Sequence, residues 1–298
     1  MTQPLARPAE SITRVAFLGT PDVAVPTLRA IHAAGFEIPI VITRPDRRRG
    51  RGGALSPSPV KQTALDLGLE VSDDLAALDN VSVDIAVVVA YGRIIPVAFL
   101  QRIPMVNLHF SLLPRWRGAA PVERAILAGD RTTGVCLMQV AEGLDTGDIY
   151  DVVSMEITPD DTLDSLRMRL VEAGSAMVVR CLSQGLPEPR PQIGEPVHAA
   201  KIAPAELELD WDEPAVQLSR VVRLGGAWTI FREKRLKIWA VNLVDRHDLA
   251  PGVLDGVVIG TSAGAVELVE VQPEGRARIA ADAWRNGAQP HMGERVGS

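Results

Sequence analysis

Asn107 and His109 are separated by one residue at the end of the apolar run 105–109. If that run is a strand, its period of two places both side chains on one face. At the ligand edge of a sheet, an amide and an imidazole so placed can donate hydrogen bonds to an oxygen that becomes negative during acyl transfer, and the histidine can also carry a proton. Such a ring needs a carboxylate to orient it, and GLDTGD at 143–148 offers Asp145 and Asp148 in a glycine-flanked loop. The same spacing is met equally well by a strand-end histidine with purely structural hydrogen bonds, so residue type and spacing leave both roles open.

The elements that must position these groups are legible in outline. VAFLG at 15–19 runs into Thr-Pro and then a helical pattern of Val25, Leu28 and Ile31, which reads as strand, turn and helix. Further strands are predicted at 36–43, 84–90 and 105–109, and the unbroken IAVVVA of 85–90 suits a parallel strand buried on both faces. Alternation of this kind predicts an α/β fold, a Rossmann-like, mostly parallel sheet whose ligands bind beyond the carboxyl ends of the strands. Strands at 133–140 and 149–157 and a helix at 162–182, with Asp160 or Asp161 near its cap, complete a first domain over 1–187. Five prolines between 185 and 204 mark a linker, placed at 188–205. A helix at 214–223 and short glycine-broken strands then predict a smaller β-barrel, OB-like, over 206–298.

Composition narrows the function classes. With 298 residues, 47% of them apolar and 23% charged, the chain is globular in character. Its first apolar run, 15–18, is too short for a membrane span or a signal-peptide core, so a cytoplasmic protein without a membrane partner is expected. Cys136 and Cys181 lack metal-ligand spacing, and neither a zinc site nor a disulfide framework is expected. GTP at 19–21 is not a GxGxxG turn, which weakens a nicotinamide-dehydrogenase reading, and there is no HExxH, phosphate loop or nucleophile elbow. Direct acyl transfer without a covalent enzyme intermediate gains by comparison. The net charge of −6 argues against a nucleic-acid partner until its distribution is considered. Arg44, Arg47, Arg48, Arg49 and Arg51 fall within eight residues, and Arg220, Arg223, Arg232, Lys234, Arg235 and Lys237 are accompanied by the single acid Glu233. Each run alone could be a solvated surface; two of them in separate domains suggest phosphate contacts.

The stretch 106–150, VNLHFSLLPRWRGAAPVERAILAGDRTTGVCLMQVAEGLDTGDIY, resembles the active-site signature of the formyltetrahydrofolate-dependent formyltransferases. FLGTPDVAVPTL, TRPDRRRGRGGALSPSPVK and VVVAYGRIIP extend the similarity, towards the branch of that family whose acceptor is methionyl initiator tRNA. The resemblance covers most of 14–245. It implies that 10-formyltetrahydrofolate is the formyl-donor cosubstrate, that the acceptor is the α-amino group of the charged tRNA, that transfer passes through a tetrahedral intermediate, and that no metal takes part. It further implies that Asn107 binds the formyl oxygen, His109 stabilises the oxyanion and assists proton movement, and Asp145 holds His109 and relays protons. Val89, Tyr91, Gly92, Ile94, Ser111, Leu112, Leu113 and Pro114 would line the folate pocket. The Arg44 to Arg51 loop, made flexible by Gly50, Gly52 and Gly53, would approach the acceptor end of the tRNA, and the basic residues from Arg220 to Lys237 would meet its backbone. Where the family pattern has a proline after PDR, this chain carries Arg47-Arg48-Arg49 in and after the turn. A monomer is expected.

Two rivals share parts of this reading. A formyltransferase acting on a small amine would keep the Asn-His-Asp group but has no use for an arginine-rich arm and a second basic domain. A non-catalytic RNA-binding module would use the second domain alone, and the intact Asn107, His109 and Asp145 speak against it.

Overall fold

A computed structural model of the chain describes residues 5–49 and 54–297. Its first sheet has seven strands, in the order Ile149–Glu156, Thr132–Gln139, Met105–His109, Ile85–Val89, Val15–Gly19, Val41–Ile42, Val71–Ser72. The last five run parallel to one another, and Thr132–Gln139 is antiparallel to both its neighbours. The uninterrupted apolar runs are explained by burial on two sides. Ala16, Leu18, Ala86 and Val88 enter one apolar cluster, while Val15, Phe17, Ile85 and Val87 are as fully buried on the other face. Strand order reverses on either side of Val15–Gly19, which opens a crevice at the carboxyl ends of that strand and of Ile85–Val89.

Local sequence accounts for most departures from expectation. The strand predicted at 36–43 is only Val41–Ile42, preceded by a single bridge at Glu37. Pro39 lies between them and has no N–H to give to a ladder. The long helix Leu163–Gln184 is capped by Thr162, whose hydroxyl accepts from the Ser165 amide at 3.2 Å while Ser165 Oγ accepts from the Thr162 amide at 3.0 Å. Asp161 stands one place outside, receiving the Ser165 hydroxyl at 3.1 Å. Within the same helix Gly174 faces Leu108: a Cβ at that position would lie 2.8 Å from a Leu108 methyl, so a glycine lets the helix press against the strand that carries Asn107 and His109.

The chain forms two compact units. One comprises 1–121, 132–156 and 167–199 and contains the seven-stranded sheet. The other comprises 122–131, 157–166 and 200–298. It carries a smaller antiparallel sheet in the order Trp228–Phe231, Lys234–Val244, Ala265–Pro273, Val258–Gly260, Leu254–Asp255, with Ile279–Ala280 also pairing to Ala265–Pro273. Register shifts between Ile238 and Val241 bend its longest strand, in keeping with a small barrel-like domain. Its core gathers Trp211, Leu218, Val222, Phe231, Leu236, Ile238, Leu268 and Trp284. The hairpin at its start turns through Arg232 and Glu233, both at positive φ (49° and 64°), the conformation that matches strand twist in a two-residue turn. The segment between 185 and 204, read from sequence as a linker, is tied to the first unit. Arg190 exchanges backbone hydrogen bonds with Ile149, and His198–Ala199 pairs in parallel with Arg117–Gly118.

Candidate functional site

The strand Met105–His109 is short, apolar and central, so its carboxyl end opens where the sheet ends. Asn107 and His109 both line a cavity of about 560 Å³ in the first unit. Asn107 is half-buried, and among the described residues its side-chain amide has no hydrogen-bond partner, which leaves it available to a ligand. His109 is 5% exposed, and both ring nitrogens face oxygen atoms. Nε2 lies 2.9 Å from the Trp116 carbonyl; because a carbonyl only accepts, Nε2 carries a hydrogen. Nδ1 is thereby left as the proton-exchanging nitrogen, and it faces Asp145 Oδ2 at 3.5 Å. The Asp145 carboxylate is fixed in turn by the Gly118 amide, which donates to Oδ2 at 2.9 Å. A neutral ring presents a lone pair to this carboxylate, and only the doubly protonated ring donates to Trp116 and Asp145 together.

Three non-glycine residues around the cavity adopt left-handed backbone angles: Ala90 at φ 47°, Trp116 at 66° and Asp145 at 52°. Such conformations cost about 1–3 kcal/mol each and persist where surrounding contacts over-determine them. Ala90 begins the loop that carries the wall, Trp116 supplies the carbonyl that sets the histidine tautomer, and Asp145 supplies the carboxylate.

The remaining lining is largely apolar, with Val88, Tyr91, Ile95, Phe110, Met138 and Val140. Ile94 and Leu144 also line it while remaining 88% and 62% exposed, so they stand at the mouth. Among the described residues the Tyr91 hydroxyl is buried without a partner. Of the residues expected to form a folate pocket, Tyr91, Gly92 and Ile94 line this cavity. Val89 is fully buried in its strand between Val88 and Ala90, both of which do line it. The structure places Ser111 to Pro114 elsewhere. The Ser111 hydroxyl donates to the Arg115 carbonyl at 2.7 Å, Leu112 packs on Gly134, Leu113 joins Cys136 and Met138 in an apolar cluster, and Pro114 approaches Gly194. Cys136 donates its S–H to the Ser111 carbonyl at 3.0 Å, and burial pushes its thiol up to about 11, so it packs and does not react. Among the described residues no group of histidine, cysteine and carboxylate side chains could hold a metal ion.

The basic residues divide by what they touch. Arg44 is half-buried, with a guanidinium nitrogen beside Gly92 of the cavity loop and its Nε buried without a partner among the described residues. Arg47–Arg49 pairs with Ala54–Ser56 as an antiparallel hairpin, and Arg47 and Arg48 are exposed on it. The Arg49 side chain, Arg51 and the three glycines lie outside the described residues. Lys61 pairs with Asp46 at 2.9 Å.

In the second unit Arg223 donates to the Asp161 and Thr158 carbonyls at 2.6 and 2.8 Å, and its partial burial depresses its pKa. Arg220 bonds Gln217 and covers Gly129, while Arg232 forms a two-pronged pair with Glu294 and bonds the Ala288 carbonyl. Lys234 is exposed at the start of its strand. Leu236 and Ile238 point into the core, so Arg235, Lys237 and Trp239 share the outer face, and Trp228 pairs opposite Lys237. There Arg235 lies 4.0 Å over the Trp228 ring, Arg278 3.3 Å over Trp239, and Lys237 5.7 Å from the same ring. The two tryptophans and Arg278 were not singled out from sequence; the alternation of tryptophan with basic residues along one strand face was the available signal.

An amide without a partner among the described residues and a histidine backed by a carboxylate, at the ligand edge of a parallel sheet, are groups that can stabilise an oxyanion and move a proton during group transfer. The chain belongs to the formyl transferase family, matching the Formyl transferase model over 13–182 and the Formyl transferase, C-terminal domain model over 201–289. It is 43% identical to a methionyl-tRNA formyltransferase of Paenarthrobacter aurescens, across 92% of this chain and 96% of the relative. It is also 43% identical to a methionyl-tRNA formyltransferase of Streptomyces coelicolor, across 95% and 99%. In fold it is similar to an N-formyltransferase of Helicobacter canadensis solved with folinic acid and dTDP-3-aminofucose, with a TM-score of 0.67 at 18% identity over 86% of this chain and 99% of that one.

Proposed function

We propose that this enzyme transfers the formyl group of 10-formyltetrahydrofolate to the α-amino group of methionyl initiator tRNA, the reaction that supplies formylated initiator for translation. The observation that carries the reading is the meeting of Asn107, His109 and Asp145 on the wall of one apolar cavity. The acceptor amine, whose ordinary pKa is roughly 8, attacks the formyl carbon in its neutral form. The formyl oxygen becomes an oxyanion, to which the free Asn107 amide donates and at which protonated His109 is stabilising. The resulting tetrahedral intermediate collapses when a proton reaches the arylamine nitrogen of the folate, which then leaves. His109 is neutral when the amine attacks: its Nδ1 takes the proton the amine releases, the imidazolium so formed stabilises the oxyanion while Asp145 holds its charge, and the same proton then passes to the arylamine nitrogen of the folate as it leaves.

Tyr91, Gly92 and Ile94 would bound the folate site, with the apolar wall from Met138 and Val140 opposite chemistry that must exclude water. For the RNA, Arg47 and Arg48 on the hairpin and the face bearing Arg235, Lys237, Arg278, Trp228 and Trp239 suit phosphates and stacked bases. Arg220, Arg223 and Arg232 act within their own unit instead.

The test is transfer of labelled formyl from 10-formyltetrahydrofolate to charged initiator tRNA, run beside uncharged tRNA, free methionine and a small amine, with His109→Ala as control. Transfer confined to the charged tRNA and lost in the variant is expected. Transfer to the small amine would overturn the acceptor while keeping the catalytic group.

A further inference from the structure

We propose that Gln192, in the proline-rich segment that follows the helix Leu163–Gln184 in the first unit, is a positioning residue that holds the Asp145 loop so that its carboxylate stays on His109. Of residues 191–196 it alone turns inward; its neighbours, Ile193 among them, are exposed. Its Nε2 donates to the Asp145 carbonyl at 2.9 Å and to the Gly147 carbonyl at 2.8 Å. Its Oε1 accepts from Arg117 Nε at 3.0 Å and Nη2 at 2.6 Å. Carbonyls only accept and a guanidinium only donates, so the orientation of the amide is unambiguous and its hydrogen-bonding capacity is fully used.

These contacts close a ring. Gln192 grips the backbone of Asp145, and Arg117 grips Gln192. Next to Arg117 in the chain, Gly118 donates its amide to the Asp145 carboxylate at 2.9 Å. Asp145 is thus held at both backbone and side chain by one connected set of groups, despite its left-handed φ of 52°. Without the two carbonyl contacts, a glycine-flanked loop has a lower-energy backbone to relax into, and the 3.5 Å approach of Oδ2 to Nδ1 is the first thing lost. The segment itself is fastened at both ends, by Arg190 to Ile149 and by His198–Ala199 to Arg117–Gly118, so Gln192 is presented from a fixed strap.

The inference rests on the proposed role of Asp145 in transfer. Gln192→Glu is the discriminating variant, because it keeps length and the Arg117 pairing but turns two donors into acceptors facing carbonyls. It should lower kcat by about 10- to 100-fold, the scale of a small misplacement of a catalytic group, with KM for both substrates within about threefold. Gln192→Met, which fills the space without polar atoms, should behave alike, and Ile193→Ala should match the unaltered chain. In an Asp145→Asn background the Gln192 change should cost less than about twofold more, since it acts through that carboxylate. A normal kcat in Gln192→Glu, or an equal loss with and without Asp145, would overturn the proposal while leaving formyl transfer intact. The unaltered chain, assayed in the same run, reports separately on the functional reading, and its failure to transfer formyl would remove that reading and this inference together.

Discussion

His109 is 5% exposed with both ring nitrogens facing oxygen atoms at set distances, whereas Arg235 and Arg278 lie in solvent over tryptophan rings. The first region is built from strained backbone and buried hydrogen bonds, each of which constrains the next. In the second, exposed charges lie along a strand face, Arg278 3.7 Å from Glu270 and over the same ring as Lys237. A site of the first kind fails as a unit when one member shifts. One of the second kind loses affinity in increments, and salt can do the same work as mutation.

The largest effect that would sharpen this contrast is in the first region. His109→Ala and Asn107→Ala should each reduce turnover by roughly 10²–10³-fold, as loss of an oxyanion donor does elsewhere, and their combination should fall well short of the product, measured by single-turnover formyl transfer. Next comes Arg223→Ala, which removes two charge-assisted bonds from a partly buried guanidinium to the Asp161 and Thr158 carbonyls. It should cost about 1.5–3 kcal/mol in chemical denaturation and leave the salt dependence of tRNA binding unchanged. A flattened salt slope without lost stability would return Arg223 to the RNA face. Arg235→Ala and Arg278→Ala should do the reverse, each flattening the slope of log affinity against log salt by about one unit while kcat at saturation holds. If either lowers kcat instead, the two regions are not separable in the way drawn above.

The smallest effect concerns acid. Backbone amides of Arg14 and Thr13 hold the Asp84 carboxyl below its usual range. A depressed carboxylate contributes stability that is present above its unfolded value and lost as pH falls through the folded one. Asp84→Asn should therefore shift the melting temperature at neutral pH slightly downward and flatten its fall on acidification.

Sequence alone reached the three side chains that meet at the cavity because their signals are local. Period-two spacing placed Asn107 and His109 on one face, and GLDTGD narrowed the carboxylate to two candidates, of which the resemblance pointed to Asp145. It also reached the parallel sheet, since strands buried on two faces carry unbroken apolar runs such as IAVVVA. Three parts were not legible, for different physical reasons. Trp116 and Gly118 act through backbone atoms, which no residue type announces. Gln192 meets Arg117 across 75 positions, inside a stretch whose prolines suggested only a connector. Ser111 to Pro114 follow the strand Met105–His109 directly, yet the Ser111 hydroxyl is satisfied by Arg115 and Leu113 packs on Cys136 and Met138, and none of the four is among the cavity's lining residues. The basic runs were correctly seen as charge, but charge does not say which guanidinium already has a carbonyl to hold.

The strap from Arg190 to Ala199 bears on modularity. A chain truncated at 187 would retain Asn107, His109, Asp145 and all seven strands of the large sheet, and would pass as an autonomous domain by inspection of its fold. It would lack Gln192, the Ile149 backbone pair and the partner strand of Arg117–Gly118. The smallest fragment that keeps these contacts therefore runs to Ala199, fifteen residues past the end of the helix at Gln184, and a domain graft cut at the helix would transplant Asn107, His109 and Asp145 without the contacts that Gln192 and the strap make.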